Sequence, residues 1–298
     1  MIKLQATQQE IMTAKLFFNA AFPVMQVLIN DDPKLQKKFA GIRATVQFGA
    51  LDDIEPLFCR LVFDNGKVTV EQGRYEKQDP ADSAAQSDQP DSPDEPDQVD
   101  QVANPGTVGK PDLSLTFSSI AKMNALLKGG LSLPSIRGRL SLLPSVLSLL
   151  MGLKIMTKDN AKLKNIGEKT MKVKCSLYMV ARALSQYNKL GDPDMQEFCM
   201  RQPDRIYQFR VEHEGKPDYI ACYLRIKAGK SKSGHGVYER RSPFVLFRFL
   251  SVDGALKVLG REVEFVEGVE KGFVETVGSP EYAMYLNDYM AVLQGMLT

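Results

Sequence analysis

The sequence predicts an α+β fold made of two tandem units with the same order of elements. Three observations lead there. An Asp–Pro pair opens a short helix at Asp32 and Pro33 and again at Asp192 and Pro193, an offset of 160 residues. Three runs of strand character follow each pair, at 43–49, 57–63 and 67–73 and then at 205–211, 219–226 and 231–238. Each half next has an alternating strand that turns straight into an apolar-striped helix, at 111–130 and 242–260. A last strand and a last helix follow in both. Strands come in blocks rather than alternating strictly with helices, which is the pattern of an α+β chain.

The opening segment, 11–29, is densely apolar and helical in length, and Pro23 inside it predicts a kink or a split because its ring removes a backbone donor. Asp32 fits the N-cap of the next helix and Pro33 its first position, where a missing N–H is tolerated. Asn65 and Gly66 join the second and third strands, and both accept the positive φ of a two-residue hairpin turn. In 111–130, Leu113, Leu115 and Phe117 alternate with Ser114 and Thr116. From about Ser118 the period becomes helical, with Ile120, Met123, Leu126 and Leu127 on one stripe. A strand at 138–143 and a helix at 144–156 close the first half.

The second half runs the same way. A helix at 171–187 has an apolar face, with Lys172, Lys174, Arg182 and Lys189 turned away. Val245, Phe247 and Phe249 alternate in the fourth strand, and Val252, Leu256 and Leu259 stripe the helix after it. A strand at 271–277 and a helix at 280–296 finish the chain. Gln47 and Phe48 match Gln208 and Phe209 at an offset of 161, while Cys59 matches Cys222 and Gly66 matches Gly229 at 163. A drift of three residues is what small loop changes produce. The units are expected at 1–160 and 161–298.

Composition narrows the function. At 298 residues the chain has room for two domains, and it holds only two histidines, His213 and His235. Two histidines cannot fill a three-histidine metal site, and neither has a serine or cysteine at a suggestive spacing, so no cofactor, metal or catalytic group is expected. Cys59, Cys175, Cys199 and Cys222 form no CxxC pair, and the expectation is buried free thiols in a reducing, cytoplasmic setting. The polar start of the chain does not read as a secretory signal. The apolar stretch 140–156 is interrupted by Pro144, Gly152 and Lys154. It reads as a core helix, with membrane-surface contact as the alternative.

The segment 78–109 holds eight acidic residues, five prolines and no Lys, Arg or aromatic residue. It cannot bury enough apolar area to offset its ordering, so a disordered loop is expected there. Without it the chain has 28 acidic against 38 basic residues, so the net charge of +2 becomes +10. The densest basic run includes Lys154, Lys158, Lys162, Lys164, Lys172 and Lys174. It reads as a solvated linker helix or as a docking face for an anionic membrane or acidic protein.

The stretches PDLSLTFSSIAKMNALLKGGLSLPSIRGRLSLLPSVLSLLMGLKIM (111–156) and CRLVFDNGKVTVEQG (59–73) resemble the sterol carrier protein type two family. The second half resembles it more distantly, through the internal repeat. The long insert and the ambiguous alternation of 271–277 depart from the family's pattern. The resemblance implies a mostly antiparallel five-stranded sheet in each unit, covered by helices, with a lipid, acyl or sterol ligand in an apolar tunnel between the layers. Carried onto this chain, the tunnel of the first unit would be lined by Leu113, Leu115, Phe117, Leu126, Leu127, Leu140, Leu142, Leu147, Leu150 and Met151. In the second it would be lined by Val245, Phe247, Phe249, Leu256, Leu259, Tyr285 and Met290. The same residues could instead fill a dry core, and the bulkier aromatics of the second unit favour that there.

Two functions follow as expectations. The first is non-enzymatic binding or transfer of a lipid, acyl or isoprenoid ligand. The second is an interaction scaffold with a filled core, recruiting protein or anionic membrane partners. No nucleic-acid partner is expected. Phe244 and Leu246 make the fourth strand of the second unit apolar on both faces, so its outer face needs a cover from the other unit or from a second copy in a homodimer.

Overall fold

The computed structural model describes residues 5–52, 55–73 and 110–297. The acidic insert 78–109 lies outside the described residues. The first half begins with a continuous helical stretch. It comprises α1 (Gln8–Leu16), a π-helical turn (Phe17–Ala21), a 3-10 turn (Phe22–Val24) and α2 (Met25–Asp31). Thr7 and Glu10 cap its start reciprocally. The expected break at Pro23 is therefore a change of helical pitch, not an end. By length and composition this stretch could cross a membrane, and 67% of its apolar window is buried inside the protein.

Asp32 caps α3 (Pro33–Phe39) by accepting from the Lys34 and Leu35 amides. The hairpin strands β1 (Arg43–Ala50), β2 (Leu57–Asp64) and β3 (Lys67–Gln72) follow, with Asn65 and Gly66 at φ 48 and 88 in the turn. Beyond the insert come β4 (Leu113–Phe117), α4 (Ile120–Leu127), β5 (Ser135–Gly138) and α5 (Leu143–Leu153). The last strand is thus earlier than the expected 138–143, where a 3-10 turn (Leu140–Leu142) leads into α5. Pairing decides this: Ser135 to Gly138 match β4 from Thr116 back to Leu113.

The second half has α6 (Ile166–Lys189), α7 (Pro193–Met200), β6 (Asp204–His213), β7 (Lys216–Lys227) and β8 (Lys230–His235). Then come β9 (Val245–Phe249), α8 (Val252–Leu259), α9 (Phe265–Glu270), β10 (Val274–Gly278) and α10 (Pro280–Leu297). The short α9 was not legible in the sequence. The two five-stranded sheets have the same order, β3-β2-β1-β4-β5 and β8-β7-β6-β9-β10. Equivalent caps recur: Asp192 on α7 as Asp32 on α3, and Ser251 on α8 as Ser119 on α4. Gly138 and Gly278 both end the edge strand at φ above 100°, and each lies against the carbonyl that precedes the fourth strand, of Asp112 and Phe244.

Both sheets are mixed, which corrects the expectation of a mostly antiparallel arrangement. β4 lies parallel to β1, with Phe48 opposite Leu115, and β9 parallel to β6, with Phe209 opposite Phe247. In the second half the connection from β8 to β9 crosses the sheet and sets β9 beside β6, in the same direction. This crossing lies over the outer face. The Tyr238 amide donates to Gln208 Oε1 at 2.9 Å, and the Tyr223 and Tyr238 rings are 5.0 Å apart.

Each long helix lies on its own sheet, and the two helices pack against one another, so the helical layers face inward. One apolar core, from Ala14 to Leu297, runs through both halves. The four cysteines are free and buried within it. Burial pushes the thiols of Cys175 and Cys199 up to about 12. Phe244 packs edge-on to Tyr207 and to Tyr282 of α10, with the Arg205 guanidinium 3.9 Å from its ring. Its cover thus comes from within its own half.

Candidate functional site

The candidate site lies where the two halves meet. The pitch change at Phe17–Ala21 widens the first helix locally, and α4 and α5 approach it from one side and α6 from the other. Between them is a cavity of ≈ 150 Å³. Phe17, Ala21 and Phe22 form its floor, and Leu126 and Leu127 come from the end of α4. Leu147, Leu150, Met151 and Leu153 come from α5, Met179 from α6 and Leu297 from α10. Lys154 and Thr157 are its polar members. A void of this size with such walls favours an apolar occupant over water.

A second and larger space, ≈ 840 Å³, adjoins it and shares Lys154, Met156, Thr157 and Met179. Its walls are α6, α8, α10 and the connection before α6. Phe249, Leu256, Leu259 and Met290 line its apolar side, and Lys128, Lys158, Lys172, Glu262 and Asp288 its polar side. Lys172 is only 7% exposed. Its Nζ donates to the Lys158 carbonyl at 2.5 Å and to Asn160 Oδ1 at 2.6 Å. Asn160 Nδ2 in turn donates to Glu262 Oε1 at 2.7 Å and to the Leu256 carbonyl at 3.1 Å. Burial lowers the Lys172 pKa, against the pull of Glu262 and Asp159. The network ties the connection between the halves to α8.

The expected tunnel residues divide into three groups. Leu113, Leu115, Phe117, Val245 and Phe247 are packed in filled core under the sheets. Phe117 lies against Phe48, with ring centroids 5.4 Å apart, and Phe247 stacks on Phe209 at 4.9 Å. Leu126, Leu127, Leu147, Leu150 and Met151 line the apolar cavity, and Phe249, Leu256, Leu259 and Met290 the larger space. Leu142 is buried, whereas Leu140 and Tyr285 are exposed. The apolar cavity at Leu126, Leu127, Leu147, Leu150 and Met151 is thus walled by helices of both halves. Phe17, Ala21, Phe22, Met156, Met179 and Leu297 were missed. Periodicity marks them as core, and only the meeting of the halves leaves a gap beside them.

The basic run is likewise not one docking face. Lys172 points inward, which corrects its placement on the outer side of α6. Lys158 pairs with Glu168 at 2.7 Å and Lys174 with Asp31 at 2.5 Å. Lys154, Lys162 and Lys164 are exposed. Among the described residues, no group of three His, Cys, Asp or Glu side chains is placed to hold a metal ion.

No protein-family model matches this chain, and no curated protein matches it. It is similar to several solved structures. The solution structure of palmitated sterol carrier protein 2 like 2 from Aedes aegypti has 16% identity and a TM-score of 0.27, covering 37% of this chain and 90% of that one. The crystal structure of the same Aedes protein gives 16% identity and a TM-score of 0.27, covering 39% and 97%. The inverting sec-alkylsulfatase from a Pseudomonas species has 10% identity and a TM-score of 0.25, covering 56% of this chain and 31% of that one.

Proposed function

We propose that this chain binds or transfers a lipid, acyl or isoprenoid ligand without chemical turnover. The reading is carried by the ≈ 150 Å³ apolar cavity that adjoins the ≈ 840 Å³ space. The small cavity takes a segment of the ligand's chain, since whole-ligand sites are typically about 300–1,000 Å³. The larger space takes the remainder and the polar end. Each methylene removed from water contributes about 0.8 kcal/mol. Met151, Met156 and Met179 give the walls flexible thioethers that adapt to irregular chains.

We further take 1–160 and 161–298 as two copies of one unit. The repeated strand order and the paired caps support this. The buried free thiols fit a reducing, cytoplasmic setting. Native mass spectrometry and organic extraction of the purified full chain test the ligand reading. A chain-bearing molecule should be released, and a fluorescent long-chain fatty acid should be taken up. A protein that carries no lipid and takes up no fatty acid is not a lipid binder.

A further inference from the structure

Residues 113–158 contain no aspartate or glutamate but six cations, Lys122, Lys128, Arg137, Arg139, Lys154 and Lys158. In the middle of this stretch the chain leaves α4 and returns as β5, the edge of its sheet. Leu131 and Leu133 in that loop are 102% and 95% exposed. Ile136 and Leu140, just beyond, are exposed as well, and all four residues of β5 face solvent. Single exposed leucines are ordinary, but several together on an open edge mark a contact surface.

Among the described residues, the cations beside them, Lys128, Arg137 and Arg139, have no carboxylate partner. Lys128 Nζ donates to the Gly295 carbonyl at 3.3 Å and Arg139 Nε to Ser141 Oγ at 3.2 Å. The other half supplies an internal contrast. There the equivalent connection forms α9, whose Phe265 is buried against Phe247 with ring centroids 5.8 Å apart. It carries Glu262, Glu264, Glu267 and Glu270 against Arg261 and Lys271, and the apolar residues it exposes are Val266 and Val269. Only the first half presents bare leucines on a connection whose charged residues, Lys128, Arg137 and Arg139, are all basic.

We infer that the edge formed by 128–140 docks on an anionic lipid bilayer. Leu131 and Leu133 enter the boundary between headgroups and acyl chains, and Lys128, Arg137 and Arg139 meet the lipid phosphates. A bilayer suits this edge because two leucines standing free of any pocket gain burial by insertion, while the cations gain from a surface of opposite charge. The loop also joins the two helices that wall the apolar cavity, so docking brings the cavity's rim to the membrane. The inference stands apart from the ligand reading, because vesicle binding requires no occupied cavity.

The test is flotation of the full chain with phosphatidylcholine vesicles, with and without phosphatidylglycerol. The wild type should float with the anionic vesicles and be released by salt. Leu131→Ser with Leu133→Ser should weaken partitioning about tenfold per leucine, and Arg137→Glu with Arg139→Glu about fivefold or more per cation. All four sites are exposed, so the thermal midpoint should stay within a degree or so of wild type. Lys162→Glu with Lys164→Glu, on the exposed connection before α6, should bind like wild type. The inference is overturned by a wild type that ignores anionic vesicles at low salt, or by a leucine pair that still binds fully. A control pair that loses as much would also overturn it. So would self-association in solution that the leucine pair abolishes, which would assign the edge to a second copy of the chain.

Discussion

Arg182 of α6 donates its Nε hydrogen to the Asn19 carbonyl at 2.5 Å, joining the two halves through a main-chain oxygen. Asn19 stands four residues before Pro23, so the donor that an α-helix would aim at this carbonyl is the one a proline lacks. The guanidinium supplies a charge-assisted bond in its place. The same irregular turn contributes Phe17 and Ala21 to the cavity. A contact between the halves and a wall of the space between them thus meet at one irregular turn.

Arg182→Met should lower stability by about 1–3 kcal/mol in urea unfolding, because it strips the donor from a partly buried carbonyl. Pro23→Ala restores a backbone N–H, and the double variant should recover much of the loss. A double-mutant cycle reads the coupling directly. Purely additive losses would show that the proline and the arginine act independently.

Gly138→Ala and Gly278→Ala should be similarly harmful, by about 2–4 kcal/mol each. A Cβ would stand 2.2 Å from the Asp112 carbonyl oxygen in the first case and 2.1 Å from that of Phe244 in the second. Backbone φ is 103° and 107°, which side chains rarely adopt. Gly295→Ala, where nothing lies within 4 Å of the added carbon, should be near neutral or mildly stabilising and serves as the control.

Filling the cavity should separate ligand uptake from folding. Ala21→Leu or Leu150→Phe places extra carbon in the ≈ 150 Å³ space, and uptake of a fluorescent fatty acid should fall at least about tenfold. The thermal midpoint should hold or rise. Leu126→Ala enlarges the space instead, costs about 2–4 kcal/mol and should keep uptake. Uptake that survives both filling variants would place the ligand elsewhere.

His235 makes stability depend on pH. Its ring stacks on Tyr178 at 3.9 Å, although the residue as a whole is exposed. Desolvation first, then the nearby charges of Arg182 and Lys174, push its pKa from 6.5 down to about 4. The unfolded chain therefore binds the proton more readily. The contribution of this group to stability should be fully present above pH 6.5 and be lost as pH falls from 6.5 toward 4. Chemical denaturation at pH 7.5 and 5 should show this slope in the wild type and a shallower one in His235→Phe.

Much of the architecture was legible because it is written in local signals. Asp32 and Asp192 mark helix starts through one side chain and its neighbouring amides. Asn65 and Gly66 fix a hairpin through φ alone. The position of β5 departs from the sequence pattern because 138–143 looks strand-like in isolation, while pairing with Leu113 to Thr116 selects Ser135–Gly138. Lys172 was placed outside α6 because its charge predicts solvent, but Asn160 and the Lys158 carbonyl arrive from the preceding connection and receive its amine.

The elements, their caps, the repeated order of the two halves and the acid-free character of 113–158 are written in the order of the residues. Those features depend on neighbours within a few residues, or on composition. The tertiary structure decided that β4 and β9 lie parallel to the first strand of their sheets, that the residues beneath them fill a closed core, and that the apolar space opens between the halves. A cavity is what remains when helices distant in sequence fail to close on one another. No periodicity encodes that remainder; it exists only once α4, α5, α6 and the turn at Phe17–Ala21 have met.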